Sequence, residues 1–401
     1  MKSLKKFNRC FIILLLVALI VLAAGCSKQD NTNEEVTYIV EPIPEVEPIT
    51  IGQPTKEYYP VNTIPRCIWD MEIFDNTLYI GNGDYDKNAG PVPALRMSLD
   101  NIGNWEKMGF LSDEQIGRFK VIDGKLTIPG WDPCGWAKYG TYYQLENGAW
   151  KTHSGILDNL HNFDLTEFEG KLFASIGAKV GKTPIIVSSG DDKFERVPMI
   201  KNGKPMEPGK GEVVRSHNLY TFGGKLYADF YYYDPTDTSS LRFEMYRYEN
   251  ESFNFVCNLL DKLDFKTMGC IYKMKIMENQ SLNDRLFLVT DRLYYTDDMN
   301  TFKEITLLKN SDKSVRAFDL YKYNDVLYIL AYSSDDEGTD FEISISSIKD
   351  GKNPKVKTEC YFHSELLPTC FAVSDKNFFV AVGKWTEECE DNGTVLQIER
   401  E

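Results

Sequence analysis

Apolar and polar positions repeat along the body of the chain with a period of about fifty residues. Three segments align without gaps: WDMEIFDNTLYIG from Trp69, FDLTEFEGKLFAS from Phe163 and FDLYKYNDVLYIL from Phe318. With weaker copies included, the anchoring Leu or Phe falls at residues 78, 126, 172, 226, 286, 327 and 378. A period of this length indicates a repeat fold whose units bury one another's faces.

Each copy predicts two short β-strands around a tight turn, followed by a third strand and a second turn that ends on an aromatic residue. The pairs at the first turn are rich in Gly, Asn and Asp, which suit tight hairpins: Asp123-Gly124, Glu169-Gly170, Gly223-Gly224 and Asn324-Asp325. We therefore predict an all-β fold, a β-propeller of seven four-stranded blades over residues 56–401. The fifth unit is irregular, which leaves six or eight blades as alternatives.

The turn after the third strand resembles a known repeat. Ser98 and Asp100, followed by Trp105, are similar to the Asp-box Ser-x-Asp-x-Gly-x-x-Trp of sialidase-type propellers, although Ile102 replaces the glycine. Thr296 and Asp298 begin a second degenerate copy. The resemblance implies a propeller with polar turns and says little about activity, because these boxes are structural turns even in the enzymes.

The N-terminus has the composition of a secretory leader. Residues 1–25 combine a basic start with an apolar run that would make about 21 Å of helix, shorter than the ~30 Å core of a bilayer. The segment Leu22–Cys26 resembles the lipobox of bacterial lipoproteins, which implies lipidation of Cys26. An uncleaved anchor is the alternative. In either case we expect an extracytoplasmic protein held at the bacterial cell membrane.

Residues 26–55 are rich in Pro and Glu, which predicts an extended tether rather than packed structure. Within it, residues 36–40 are apolar enough for a strand.

The body that follows has enough apolar residues for a folded core, because 42% of the whole chain is hydrophobic and 13% is aromatic. A formal net charge of −15 disfavours nucleic acid as a partner.

Beyond Cys10 and Cys26, seven cysteines remain, and they contain no C-x-x-C motif. We therefore expect buried single thiols rather than a disulfide framework or a zinc site, with a Cys360–Cys370 bridge as the alternative.

Two positions of the repeat carry candidate chemistry. Eight residues before the anchor lie Asp70, Asp164 and Asp319, which we expect to bond backbone groups of the adjacent blade. Eleven residues before the anchor lie His161, Arg215 and Arg316, and Arg66 is one residue away from the same position in the first repeat. Guanidinium groups bind carboxylates in a fork, and an arginine triad does so in sialidases. Ion pairing with the Asp ring is the alternative role.

The loops between second and third strands supply aromatic residues for a ligand-binding face: Trp131, Trp136, Tyr231, Tyr232 and Trp385. Such rings suit sugars and protein partners equally, and closing the top of the core is the alternative. A loop with Asp84, Asp86 and Asn88 has spacing similar to a Ca²⁺ site but lacks its glycine, so a polar turn is the alternative. We expect no required cofactor.

These observations predict an extracytoplasmic, lipid-anchored propeller that binds a glycan or peptide on its aromatic-rich face. No P-loop, dinucleotide fingerprint, H-E-x-x-H or G-x-S-x-G occurs, so we favour binding over catalysis. Two alternatives stay open. One is a sialidase-like glycoside hydrolase or lyase that acts on acidic sugars, and the other is a scaffold that docks another envelope protein.

Overall fold

A computed structural model describes residues 43–61, 63–134, 140–154, 156, 161–177, 182–188, 193–206, 213–234, 237–263, 278–307, 314–335, 337–384 and 387–400. Of the two units of the chain, Met1–Val36 and Thr37–Glu401, only the second contains described residues. The leader, Cys26 and the apolar residues 36–40 all lie outside the described residues. In the described part of the chain no helix is long and apolar enough to cross a membrane.

The described residues form six four-stranded antiparallel sheets and one larger sheet, numbered here in chain order. Strand β1 (Ile49–Gly52) belongs to the last of them. Sheet 1 contains β2 (Asp70–Phe74), β3 (Thr77–Gly81), β4 (Val92–Ser98) and β5 (Trp105–Leu111). Sheet 2 contains β6 (Lys120–Ile122), β7 (Lys125–Pro129), β8 (Thr141–Glu146) and β9 (Ala149–Ser154). Sheet 3 contains β10 (Asn162–Phe168), β11 (Lys171–Ile176), β12 (Ile185–Ser188) and β13 (Phe194–Arg196).

Sheet 4 is the larger one and has seven strands: β14 (Met199–Lys201), β15 (Lys204–Pro205), β16 (Val213–Arg215), β17 (Leu219–Phe222), β18 (Lys225–Asp234), β19 (Asp237–Glu249) and β20 (Ser252–Asn258). Sheet 5 contains β21 (Glu278–Leu282), β22 (Arg285–Val289), β23 (Leu293–Thr296) and β24 (Lys303–Ile305). Sheet 6 contains β25 (Arg316–Tyr323), β26 (Val326–Ser334), β27 (Phe341–Ile348) and β28 (Lys357–Ser364). Sheet 7 contains β29 (Leu367–Val373), β30 (Asn377–Gly383), β31 (Thr394–Glu399) and β1.

The inner strands meet in the order β6, β10, β17, β21, β25, β29 and β2, each in contact with the next. The ring is completed where Phe119, directly before β6, donates its N–H to Asp70 of β2. This arrangement confirms the predicted all-β propeller with four-stranded blades. Three short 3₁₀ helices complete the described elements: Ile64–Arg66, Tyr85–Lys87 and Leu259–Asp261. The core lies between the sheets, where for example Tyr79 and Val92 of sheet 1 share one buried cluster with Leu126 and Ile128 of sheet 2.

The predicted hairpin turns have the geometry that their sequences demand. Both central residues have positive φ at Asp123 (48°) and Gly124 (68°), and the same holds at Asn324 (47°) and Asp325 (54°). Two consecutive positive φ angles match the twist of the flanking strands, which is why Asn, Asp and Gly occur there. The repeat motif is thus a hairpin of the first and second strands of each unit.

An N-terminal strand closes the ring. Strand β1 pairs antiparallel with β31, so the last blade combines strands from both ends of the described chain. Just before it, Val46 N donates to Tyr361 O at 2.9 Å, and Tyr361 N donates to Pro44 O at 3.1 Å. The predicted tether boundary at residue 55 is therefore corrected, because residues 44–52 already belong to the propeller.

The aspartates of the inner strands join one sheet to the next, as predicted. Asp164 accepts from Leu219 N at 2.9 Å, and Asp319 accepts from Phe371 N at 3.1 Å. Asp70 likewise accepts from Phe119 N at 2.6 Å. In each case the second carboxylate oxygen accepts the N–H of the following residue in the same strand. A carboxylate thus bridges two backbones where adjacent sheets meet.

The prediction of buried single thiols is confirmed for four of the described cysteines: Cys67, Cys257, Cys360 and Cys370. The thiols of Cys134 and Cys389 are half-buried. The alternative bridge between Cys360 and Cys370 is wrong, because Cys370 Sγ instead donates to Ile68 O across the closure of the ring, at 3.5 Å.

Replacing one of these bridging carboxylates should loosen the ring. We expect Asp319→Ala to lower the free energy of unfolding by about 2–3 kcal/mol, because it leaves buried backbone donors without their charged acceptor. Urea denaturation followed by tryptophan fluorescence measures the change. Asp100→Ala is the matched control, since this residue is exposed in a turn without positive φ and its replacement should cost under about 0.5 kcal/mol. Equal losses in the two variants would contradict the bridging role.

Candidate functional site

The structure separates the four predicted cationic and imidazole residues. Arg66 is a buried structural residue, because its guanidinium donates to Tyr59 O at 2.9 Å and pairs with Glu390 at 3.1 Å. The prediction that Arg66 faces a ligand is therefore corrected. Arg316 is exposed at the start of β25 in sheet 6. His161 and Arg215 come together, because Gly177 donates its N–H to His161 O at 3.0 Å and forms a β-bridge with Arg215.

The predicted aromatic residues lie mainly in the core. Tyr232 is fully buried and its hydroxyl is 3.2 Å from that of Tyr246, so the expectation of an exposed ring is corrected. Tyr231 and Trp131 are each only 4% exposed. Trp131 packs edge-on against Phe163, with ring centroids 5.6 Å apart. The other two predicted residues, Trp136 and Trp385, lie outside the described part of the chain.

The proposed calcium loop forms a polar turn. Asp84 caps the 3₁₀ helix Tyr85–Lys87 by accepting from Asp86 N at 3.0 Å, and Asp86 and Asn88 are exposed. Among the residues that the structure describes, no group of three or more His, Cys, Asp or Glu side chains is arranged to hold a metal ion.

A cluster of polar and aromatic side chains from sheets 1 to 4 forms the candidate site. Its members are Tyr85, Asp132, His161, Arg215 and His217, and we call it the Arg215 cluster. Tyr85 follows β3, Asp132 follows β7, and His161 directly precedes β10. Arg215 is the last residue of β16, and His217 follows it by two residues. All five are half-buried.

The ring of Phe163 organises this cluster. It stacks on both His161 and His217, with ring centroids 5.4 Å and 4.3 Å away and interplanar angles of 15° and 19°. The guanidinium carbon of Arg215 lies 5.9 Å from the same ring centroid. One buried phenyl ring therefore fixes two imidazoles and a guanidinium relative to one another.

Burial and the Arg215 charge together keep both imidazoles neutral. Burial lowers the pKa of His161 to about 4 and the pKa of His217 to about 3, and the nearby guanidinium acts in the same direction. Burial raises the pKa of Asp132 to about 6, an effect that Arg215 opposes. Near neutral pH the cluster thus contains one fixed cation, two uncharged bases and one carboxylate.

The backbone beneath the cluster is held by buried charges. Asp229 accepts from His217 N at 2.8 Å and from Asn218 N at 3.1 Å. On the other side, Arg118 donates to His217 O at 3.4 Å and to Asn218 Oδ1 at 2.8 Å, and it pairs with Asp164 at 3.2 Å. These contacts restrict the movement of the chain that presents Arg215 and His217.

His161 and Arg215 were predicted from the sequence as site residues, whereas His217, Asp132 and Tyr85 were not. A signal for His217 existed, because the chain has only four histidines and this one stands two residues after Arg215. Asp132 and Tyr85 gave no such signal, since they lie in loops of other repeats.

Removing the guanidinium should change the titration of both imidazoles. We expect Arg215→Ala to raise the pKa of His161 and of His217 toward the ordinary value near 6.5, because the like charge that disfavours protonation is lost. NMR of protein with ¹³C-labelled histidine measures this with only four resonances to assign. The control is Arg292→Ala, whose guanidinium pairs with Glu304 at 2.7 Å elsewhere. Unchanged titration of both imidazoles in Arg215→Ala would contradict the proposed electrostatics.

The chain matches no protein-family model and no curated protein. Solved structures are similar to it in fold. The propeller domain of the Trilobed protease from Pyrococcus furiosus is 12% identical, with TM-score 0.45, over 83% of this chain and 94% of that one. The acylaminoacyl peptidase of Pyrococcus horikoshii is 10% identical, with TM-score 0.47, over 84% and 53%. Polysaccharide lyase Uly1 is 10% identical, with TM-score 0.42, over 85% and 91%. At these sequence identities and TM-scores, the similarity concerns the fold and carries no conclusion about function.

Proposed function

We propose that this protein binds a carboxylate-bearing ligand, a glycan or an acidic peptide, at the Arg215 cluster. The observation that carries the proposal is the half-buried guanidinium of Arg215, set beside two imidazoles that remain neutral. A guanidinium in a partly desolvated setting is suited to a carboxylate, which it holds through paired hydrogen bonds.

An acidic sugar fits the surrounding groups better than an acidic peptide. Around the cation, the carboxylate of Asp132, the phenol of Tyr85 and the imidazoles offer hydrogen-bond donors and acceptors for hydroxyl groups. The chain as a whole has a net charge of −15, so an anionic ligand needs a local cation to bind at all. We therefore favour an acidic glycan.

The propeller that presents this cluster has, in our proposal, seven blades. Strands β17, β18, β19 and β20 of the larger sheet pair in sequence, which is the order of a blade. Strand β17 also contacts β10 of sheet 3 and β21 of sheet 5, which supports a place between those sheets. Strands β14, β15 and β16 then extend this blade at its edges.

Binding to a glycan array tests the proposed function. We expect the protein from Ser27 to Glu401 to bind acidic glycans and Arg215→Ala to lose that binding at least about tenfold, the effect of removing one charged hydrogen-bonding partner. Arg292→Ala should bind as the unchanged protein does. Binding that is insensitive to Arg215→Ala would contradict the site. A blank array, together with saturable capture of an envelope protein, would favour the scaffold alternative.

We also propose that the protein is a lipoprotein, anchored outside the cytoplasm through Cys26. The support is the basic and apolar leader that ends in Leu22–Cys26. Cys26→Ala should remove the acceptor of the lipid, so we expect the variant to lose incorporation of a labelled fatty acid in a bacterial host. Cys67→Ala, a change at a buried thiol of the propeller, is the control. Equal labelling of the two variants would contradict the anchor.

A further inference from the structure

The hydrogen bond made by His161 defines which of its ring nitrogens can act as a base. Nδ1 lies 2.9 Å from Trp131 O, and a backbone carbonyl can only accept. Nδ1 therefore carries the proton, and Nε2 carries the lone pair. Asp132 Oδ2 lies 3.8 Å from the same Nδ1, where a carboxylate stabilises an imidazolium that forms when Nε2 takes up a proton.

The same histidine lies next to the group that we propose as the carboxylate binder. His161 and the Arg215 guanidinium both pack around the Phe163 ring, and Gly177 contacts both backbones. A side chain added at Gly177 would meet His161 Cδ2 at 2.9 Å, so the glycine lets the imidazole lie close to the strand that bears the guanidinium. A carboxylate held by Arg215 would thus place its α-carbon near a neutral base.

Tyr85 supplies a phenol to the cluster. Its ring lies 6.1 Å from that of Trp131, whose carbonyl orients His161. Burial raises the pKa of Tyr85 to about 12, so the hydroxyl keeps its proton at neutral pH. The Arg215 charge acts on both Tyr85 and His161, so the cluster combines a base, a cation and a protonated acid.

We propose that this cluster catalyses β-elimination in a 4-linked polyuronate, with His161 as the base, Arg215 as the carboxylate binder and Tyr85 as the acid. This inference rests on the proposed function and names the substrate and reaction of the same site. Pairing with the guanidinium withdraws charge from the carboxylate and makes the proton on C5 more acidic. The reaction needs no metal or redox partner.

The atoms and electrons balance in a single elimination. His161 Nε2 takes the C5 proton, and the C5–H electron pair forms a C4=C5 double bond. The C4–O4 bond breaks with its electrons on O4, which receives the Tyr85 proton. One new chain end is an unsaturated uronate and the other is a free hydroxyl. Proton exchange with water then returns His161 and Tyr85 to their starting states.

The test uses polygalacturonate, alginate and heparosan as probes, with the protein from Ser27 to Glu401. Ultraviolet absorbance detects the conjugated double bond, and mass spectrometry distinguishes an eliminated product from a hydrolysed one, which contains one more water. We expect His161→Gln and Tyr85→Phe each to lower kcat by about 10²–10⁴-fold with KM changed less than about threefold. His363→Gln, which alters an exposed histidine 3.2 Å from Asp340, is the matched control and should keep full activity.

The outcomes separate this inference from the proposed function. An unsaturated product that His161→Gln abolishes, while binding of the polymer persists, supports both. Arg215-dependent binding without an unsaturated product from any of the three polymers overturns the elimination and leaves the binding function standing. Saturated products, which indicate hydrolysis, also overturn it. Failure to bind any acidic glycan overturns both proposals.

Discussion

The fold depends on aspartate carboxylates that join neighbouring sheets where their inner strands meet. A four-stranded sheet cannot cover its own two faces, so each blade needs its neighbours in a defined register. Asp70, Asp164 and Asp319 provide that register, because each accepts one N–H from its own strand and another from the backbone of a neighbouring sheet, within a strand or directly before it. Apolar packing between sheets is non-directional, whereas these bonds hold only when two backbones are aligned within a few tenths of an ångström. The repeated aspartate therefore acts as a positional device as well as a stabilising contact.

The same central network supports the Arg215 cluster. Asp164 binds the backbone of β17 and also pairs with the buried guanidinium of Arg118, which holds the carbonyl of His217. Asp229 holds the N–H of the same residue from the other side. Buried ion pairs of this kind contribute little net stability but are costly to break, so they restrict the conformations open to the chain. The rigidity that closes the ring thus also orients the candidate site.

The electrostatics of the site follow from partial burial rather than from the composition of the protein. The chain is strongly acidic, yet the half-buried Arg215 makes this one region favourable for an anion. Because burial and the guanidinium both disfavour imidazolium, His161 and His217 stay neutral and do not add to the positive charge. In our proposal this cation, with Asp132 beside it, binds a carboxylate and still leaves an uncharged base next to the bound group. This combination links the binding function to the elimination that we propose.

Local sequence was enough to predict the strands, the hairpin turns and the bridging aspartates. The tolerance of Asn, Asp and Gly for positive φ is a property of the turn residues themselves, and the recurrence of one short motif can be read along the chain. It also identified Arg215 and His161 through their shared position in the repeat. The role of Arg66 depended instead on Glu390, and that of Tyr232 on the buried Tyr246. Asp132 and Tyr85 join the site from loops of other repeats. Only tertiary structure decides such placements, because burial and charge–charge contact depend on distance in space, and ring closure unites residues far apart in sequence.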